Sequence, residues 1–239
     1  MQRIAESELI INNRGAVYHL DVRPDELAST IITVGDPDRV EAVSKHFDSI
    51  QVKARHREFV THTGYLNNKR ITVISTGIGT DNIDIVFNEL DALVNIDFAT
   101  RTIKEAKTSL DIIRVGTSGS VSADLQIDNT LITETAIGMD GLMHFYEFEN
   151  SIQETVYLEA FANHIKPYFK EVAPYIATGS EKLINKFEAY YPKGTTITAC
   201  GFYAPQGRML RGARTFPNFI EAVNTFQHKH FRITNLEME

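Results

Sequence analysis

Apolar and polar positions along this chain switch repeatedly between a two-residue and a 3.6-residue period, and the switches mark strands and helices in turn. Thr30-Ile31-Ile32-Thr33-Val34 is β-branched throughout and reads as a buried strand. Gly35 ends it, Asp36 suits a helix N-cap and Pro37 a first helical position, which predicts a helix over residues 37–47. Residues 52–65, a turn at Asn67-Asn68, and residues 70–75 read as strands of a meander or hairpin. Thr76-Gly77-Ile78-Gly79 is a glycine turn into a helix whose Ile83, Val86, Phe87, Leu90 and Leu93 form a sheet-covering stripe. Residues 94–109 are polar and mixed, predicting a loop with a short helix, and a short extended piece is expected at Val17-Tyr18-His19-Leu20 within an otherwise irregular 1–28.

Further strands are expected at 110–115, 130–136, 175–178 and 195–200. An amphipathic helix fits 151–165, with Ile152, Val156, Phe161 and Ile165 among its apolar positions; a short helix starts at Glu181, and Phe219, Ile220, Val223 and Phe226 mark another. Strands alternating with helices and no linker predict one α/β domain over 1–239. Residues 233–239 read as a strand ending on Glu-Met-Glu. Two readings stand there: an edge strand with protective charges, or carboxylates that belong to a site.

At 239 residues and 43% hydrophobic content the chain can bury a full core. Its net charge of −7 argues against general nucleic-acid binding, so any anion must be held by local arginines. The single cysteine, Cys200, excludes an intramolecular disulfide, fits a reducing cytosol and is expected to pack as a small buried residue. No apolar run reaches spanning length and Met1-Gln2-Arg3-Ile4 opens no signal-peptide core, so a soluble cytoplasmic protein without a membrane partner is expected.

Two strand-end turns carry the candidate chemistry. Gly35 lets a ligand approach the backbone and Arg39 brings a charge that opposes the helix dipole, a local cost that asks for a reason. Arg114-Val115-Gly116-Thr117-Ser118-Gly119 offers an arginine, two hydroxyls and two glycines. Together the turns suit one small oxyanion, phosphate above all. Gly77-Ile78-Gly79 lacks the third glycine of a dinucleotide fingerprint, and the 116–119 turn lacks the P-loop lysine. His56/His62 and His228/His230 have no acidic or cysteine partner at useful spacing, so no metal is expected.

Five motifs in order resemble the uridine phosphorylases of the nucleoside phosphorylase family: Gly35-Asp36-Pro37-Asp38-Arg39, His56-Arg57-Glu58-Phe59, Ser75-Thr76-Gly77-Ile78-Gly79, Arg114-Val115-Gly116-Thr117-Ser118-Gly119 and Asn235-Leu236-Glu237-Met238-Glu239. A sixth, Phe202-Tyr203-Ala204-Pro205-Gln206-Gly207-Arg208, is similar to that family's uracil-recognition loop. The resemblance implies a three-layer α/β/α sandwich around a mixed, partly barrel-like sheet, and reversible phosphorolysis of uridine to uracil and ribose 1-phosphate. It implies phosphate binding by Gly35, Arg39, Arg57, Arg114 and Thr117, ribose binding by His19, Glu237, Met238 and Glu239, and base binding by Phe202, Gln206 and Arg208. Arg114, Gln206 and Arg208 would carry the catalysis. His19 and Arg57 would reach a neighbouring subunit's site in a homodimer or hexamer. Inorganic phosphate is then a co-substrate and no cofactor is needed; some family members hold a monovalent cation near the positions of Glu58 and Ile78.

Against the family pattern, Asp81-Asn82 stands where Pro-Ser is common, Leu236 replaces a frequent aromatic, and 94–109 reads as an insertion. Family members continue past Glu-Met-Glu, so the fold expected here lacks those C-terminal elements. The alternatives are a catalytically weak nucleoside- or phosphate-binding relative, and a purine-directed phosphorylase, against which Gln206 and Arg208 argue.

Overall fold

The computed structural model describes residues 3–169 and 171–239; Met1-Gln2, read above as the start of an irregular segment, lie outside them. The chain forms two compact units, one running to Gly116 and the other Thr117–Glu239.

In the first unit β1 (Thr30–Val34) leads to α1 (Asp38–Ser44), then the meander β2 (Ser49–His56), β3 (Phe59–Leu66) and β4 (Lys69–Ser75). After α2 (Thr80–Asn95) come the small hairpin β5 (Ile96–Asp97) and β6 (Thr102–Ile103), and finally β7 (Asp111–Val115). The main sheet has the order β2-β3-β4-β1-β7, with β1 parallel to both β4 and β7. Period-2 alternation assigns its side chains to two faces. Ile31 and Ile74 pack in one cluster with Val86, Leu90 and Leu93 of α2 and with Val17, Leu20 and Val22 of the N-terminal segment. Val34 and Val73 pack on the other face with Val40 of α1. The unit is therefore three-layered, helix–sheet–helix.

Four expectations need correction here. Residues 52–65 are not one strand: a two-residue turn at Arg57-Glu58 divides them, with His56 paired to Phe59. Residues 94–109 hold no separate short helix: α2 runs on to Asn95, and residues 96–103 form the β5–β6 hairpin. Val17-Tyr18-His19-Leu20 is a turn, entered by an isolated Ile11–Val17 bridge, because Asp21 N–H closes back onto Val17 O. On α2, Phe87 of the expected stripe is 42% exposed, whereas Ala92 is buried.

The second unit contains β8 (Gly119–Ser120), β9 (Ile132–Gly138), α3 (Ile152–Ile165), β10 (Tyr175–Thr178), α4 (Glu181–Phe187), β11 (Lys193–Thr198), α5 (Phe219–Thr225), β12 (Gln227–His228) and β13 (Phe231–Glu237). Its sheet has the order β10-β9-β11-β13-β12, with β8 also on β13; β9, β11 and β13 are parallel. Ser151 caps α3 in a reciprocal box with Glu154. The helix buries Tyr157, Phe161 and Ile165, four residues apart, against Ile137, Ile197, Phe219 and Phe231. Full burial of a side chain such as Phe161 contributes about 1.5–3 kcal/mol.

Ile152 and Val156, expected in that face, lie outside it, Ile152 being 88% exposed. Nor is β13 an edge strand: β11 covers one side, and β8 and β12 the other. Cys200, expected buried, is exposed one residue beyond the last inward position, Ala199. His228 and His230 both pack edge-on against Tyr157. The mixed α/β architecture is thus realised as two open sheets with flanking helices, and no helix among the described residues is long and apolar enough to cross a membrane.

Candidate active site

In the first unit, parallel pairing lines up the exits of β1, β4 and β7: Thr33 faces Arg114, Val34 faces Val115, and Val34 faces Ser75. The chain enters β4 on one side of β1 and returns as β7 on the other, so the carboxyl ends around β1 form a switch point of the kind that holds ligands in open α/β sheets. Thr76 N–H donates to Val34 O at 2.8 Å and Gly77 N–H to Gly35 O at 3.0 Å, locking the β1 and β4 exits together. Asp36 Oδ1 accepts from Asp38 N–H at 2.9 Å in the turn before α1; the helix starts one residue later than expected, with Pro37 and not Asp36 at its N-cap, and carries Arg39 half-buried in its first turn.

Arg114, at the end of β7, folds back over Gly116. A Cβ there would come within 3.0 Å of its Nη2, so glycine leaves room for the guanidinium. Arg57 occupies the β2–β3 turn at φ +54°, exposed. Ser75 Oγ donates to Glu58 O at 2.6 Å and accepts from Val60 N–H at 2.7 Å, pinning this turn to the β4 exit. Gly35, Arg39, Arg57 and Arg114 therefore share one edge of one sheet.

His19 is held by a residue that escaped the sequence reading. Glu89 of α2 accepts from the backbone N–H of His19 at 3.0 Å and of Leu20 at 2.9 Å, and lies 2.6 Å from His19 Nδ1. His56 Nδ1 adds a bond to His19 O at 3.2 Å, and Tyr18 meets both rings edge-on.

In the second unit the exits of the parallel strands carry the remaining candidates. Gln206, 3% exposed, donates from Nε2 to Glu237 O at 3.3 Å. Arg208 Nη1 donates to Gln206 Oε1 at 2.6 Å and Phe202 O at 2.8 Å, with its guanidinium 3.9 Å over the Phe202 ring. Arg208 thus ties Phe202 and Gln206 together. Thr198 donates to Glu237 Oε1, whose other oxygen accepts from Glu239 N–H at 2.8 Å. Met238 and Glu239 are half-buried beside it. Thr117 is exposed at the start of this unit, two residues before β8.

Asp140, just past β9, accepts from Tyr175 OH at 2.7 Å. Burial and, after it, that hydrogen bond push the Tyr175 phenol above its ordinary value. Tyr175 lies flat on Gly138, where a Cβ would meet its ring at 2.0 Å. Sequence offered one signal for these missed residues: a glycine inside a strand marks close approach by a neighbour.

Residues 29–239 match the Phosphorylase superfamily, and the chain belongs to that family. It is 29% identical over its whole length to the uridine phosphorylase of Thermococcus kodakarensis, spanning 74% of that protein. It is 33% identical over 132 residues to the uridine phosphorylase of Haemophilus influenzae and 32% over 140 residues to that of Escherichia coli. These alignments span 47% and 50% of the relatives, about half the length of each. Among solved structures, a Trypanosoma brucei nucleoside phosphorylase described as showing uridine phosphorylase activity superposes with a TM-score of 0.87 at 31% identity, over 97% of this chain and 83% of that one.

Proposed function

We propose that this protein is an enzyme of nucleoside salvage or catabolism that cleaves uridine with inorganic phosphate, giving uracil and ribose 1-phosphate. The observation that carries the reading is the register of β1 on β7, in which the turns bearing Arg39 and Arg114 leave neighbouring parallel strands side by side. Gly35, Arg39, Arg114 and Thr117 hold the phosphate. Glu237, Met238 and Glu239 hold the ribose, and Phe202, Gln206 and Arg208 the base. A homodimer or hexamer brings His19 and Arg57 to a neighbouring subunit's site. No cofactor or metal takes part, and the enzyme works in the cytoplasm.

Phosphate oxygen attacks C1′ of the ribose while the bond from C1′ to uracil N1 breaks, its electron pair leaving with the base. Arginines orient the dianion and so turn a bimolecular encounter into a positioned one. The ribose passes through an oxocarbenium-like state, which the phosphate on one face stabilises. Gln206 and Arg208 donate to the uracil carbonyls as negative charge gathers there. The Gln206 amide also offers an acceptor to the ring N–H, a pattern that suits a pyrimidine-dione rather than a purine.

The test is phosphate-dependent release of uracil from uridine, with inosine in parallel. Uracil release supports the proposal. Turnover of inosine alone favours a purine-directed enzyme, and uridine binding by calorimetry without release favours a binding protein; either outcome overturns it.

A further inference from the structure

Asn235 lies within β13, two residues before Glu237, and is only 5% exposed. A buried amide in a strand of apolar and β-branched neighbours needs its polar atoms satisfied. Its Nδ2 donates to Ser118 Oγ at 2.9 Å, and its Oδ1 lies 3.0 Å from the Thr196 hydroxyl and 2.8 Å from that of Thr234. Thr196 also bonds to Thr133 at 2.7 Å, so the amide is seated in a hydroxyl network spanning β9, β11 and β13. Ser118 itself is exposed, directly after Thr117, and the next two residues pair with β13 as β8, Ser120 opposite Asn235 and Gly119 opposite Leu236.

We propose that Asn235 is a positioning residue for phosphate binding. Acting through Ser118, it holds the 116–119 turn in the shape that presents the Thr117 hydroxyl to the anion. The proposal rests on the phosphorolysis reading and adds a residue to it. A turn with glycine at both ends has many conformations when released, and ordering it on binding would be subtracted from phosphate affinity. The tether makes that ordering part of folding. It also hangs the phosphate turn from the strand that carries Glu237, so one rigid element sets both ribose and phosphate contacts within this unit.

The experiment measures binding of inorganic phosphate by calorimetry, and KM for phosphate and for uridine, in the full chain and in Asn235→Ala, Ser118→Ala and the double variant. Loss of one hydrogen bond predicts phosphate affinity about tenfold weaker in each single variant. KM for uridine changes less, and the double variant is no weaker than Asn235→Ala alone, since both substitutions cut the same link. A purely structural asparagine would lower stability without separating the two KM values. Unchanged phosphate affinity in either single variant, or additive effects in the double, overturns the tether. Should Asn235→Ala not fold, Ser118→Ala at its exposed position decides the matter by the same criterion. A wild-type chain that binds phosphate but leaves uridine intact disproves the phosphorolysis reading while the phosphate measurements still judge the tether. A wild-type chain that binds no phosphate sinks both.

Discussion

In the unit that runs to Gly116, the candidate arginines sit at strand exits fastened through backbone groups: Thr76 N–H to Val34 O, Gly77 N–H to Gly35 O, and Asp38 N–H to Asp36 Oδ1. In Thr117–Glu239 the base and sugar candidates are tied by hydrogen bonds from their side chains: Arg208 to Gln206, Gln206 to the Glu237 carbonyl, and Thr198 to the Glu237 carboxylate. Both units place these groups at the carboxyl ends of parallel strands. The difference follows from the proposed ligands. A small symmetric anion needs charge and backbone reach, which rigid turns with glycine provide. A base and a sugar need donors and acceptors in fixed orientations, and those are lost if the side chains rotate.

Removing the cation at the β7 exit breaks this comparison most severely. Arg114→Ala is expected to raise KM for phosphate about 100-fold, since a charge-assisted hydrogen bond to the dianion is worth up to about 3 kcal/mol. Phosphate affinity should fall to match, while KM for uridine changes little. Steady-state kinetics with each substrate varied in turn would show this, and unchanged phosphate kinetics would remove the cationic half of the assignment.

A smaller effect with the opposite signature is expected from Gln206→Leu. The side chain keeps its bulk but leaves Arg208 and the Glu237 carbonyl without their partner. A lost hydrogen bond to a charged group is worth about 1.5–3 kcal/mol, so KM for uridine should rise about 10- to 100-fold. Phosphate kinetics should hold. Equal damage to both substrates would mean that the two units do not divide the labour as argued.

Glycines sharpen the contrast further. Gly138→Ala drives a Cβ into the face of the Tyr175 ring at 2.0 Å, and overpacking of this kind costs about 1–3 kcal/mol of stability, read as a lower melting temperature. Gly116→Ala meets instead the tip of a flexible arginine at 3.0 Å. The guanidinium can yield, so stability should change little while phosphate affinity drops. The reverse order of melting temperatures would contradict the roles given to the two glycines.

The backbone-set half was the more legible in sequence. An all-β-branched strand ending in glycine, with Asp36 and Pro37 following, encodes its turn locally, and Asn67-Asn68 does the same with both residues at positive φ. Arg57-Glu58 stayed hidden because the turn uses an arginine at φ +54°, for which no local residue type signals. Side-chain pairings, in either unit, depend on long-range partners. Glu89 stands 70 residues from His19, and Asn235 stands 117 from Ser118, so neither pairing leaves a spacing to read. Ile152 and Val156 show the same limit on α3, where helical periodicity fits more than one face and tertiary packing selected Tyr157 instead.

The smallest expected effect concerns a histidine outside the candidate site. His62 on β3 is buried and bonds to Ser44 of α1 at 2.7 Å. Burial, then the charge of Lys53 across the strand pair, hold its imidazole below its ordinary value of 6.5, against a weaker opposing pull from Glu41. A histidine depressed by folding is neutral in the native state and takes a proton more readily when unfolded. Its contribution to stability is therefore full above about 6.5 and declines as pH falls through that value towards the lower folded one, levelling off beneath it. Denaturant midpoints at pH 7.5, 6.5 and 5.5 should fall in wild type, and His62→Asn should flatten part of that slope. Because His62 bonds to the last residue of α1 and Arg39 lies in its first turn, phosphate affinity in that variant should follow wild type across the same range. A loss of affinity would mean that the packing of α1 on β3, and with it the placement of Arg39, depends on this one buried bond.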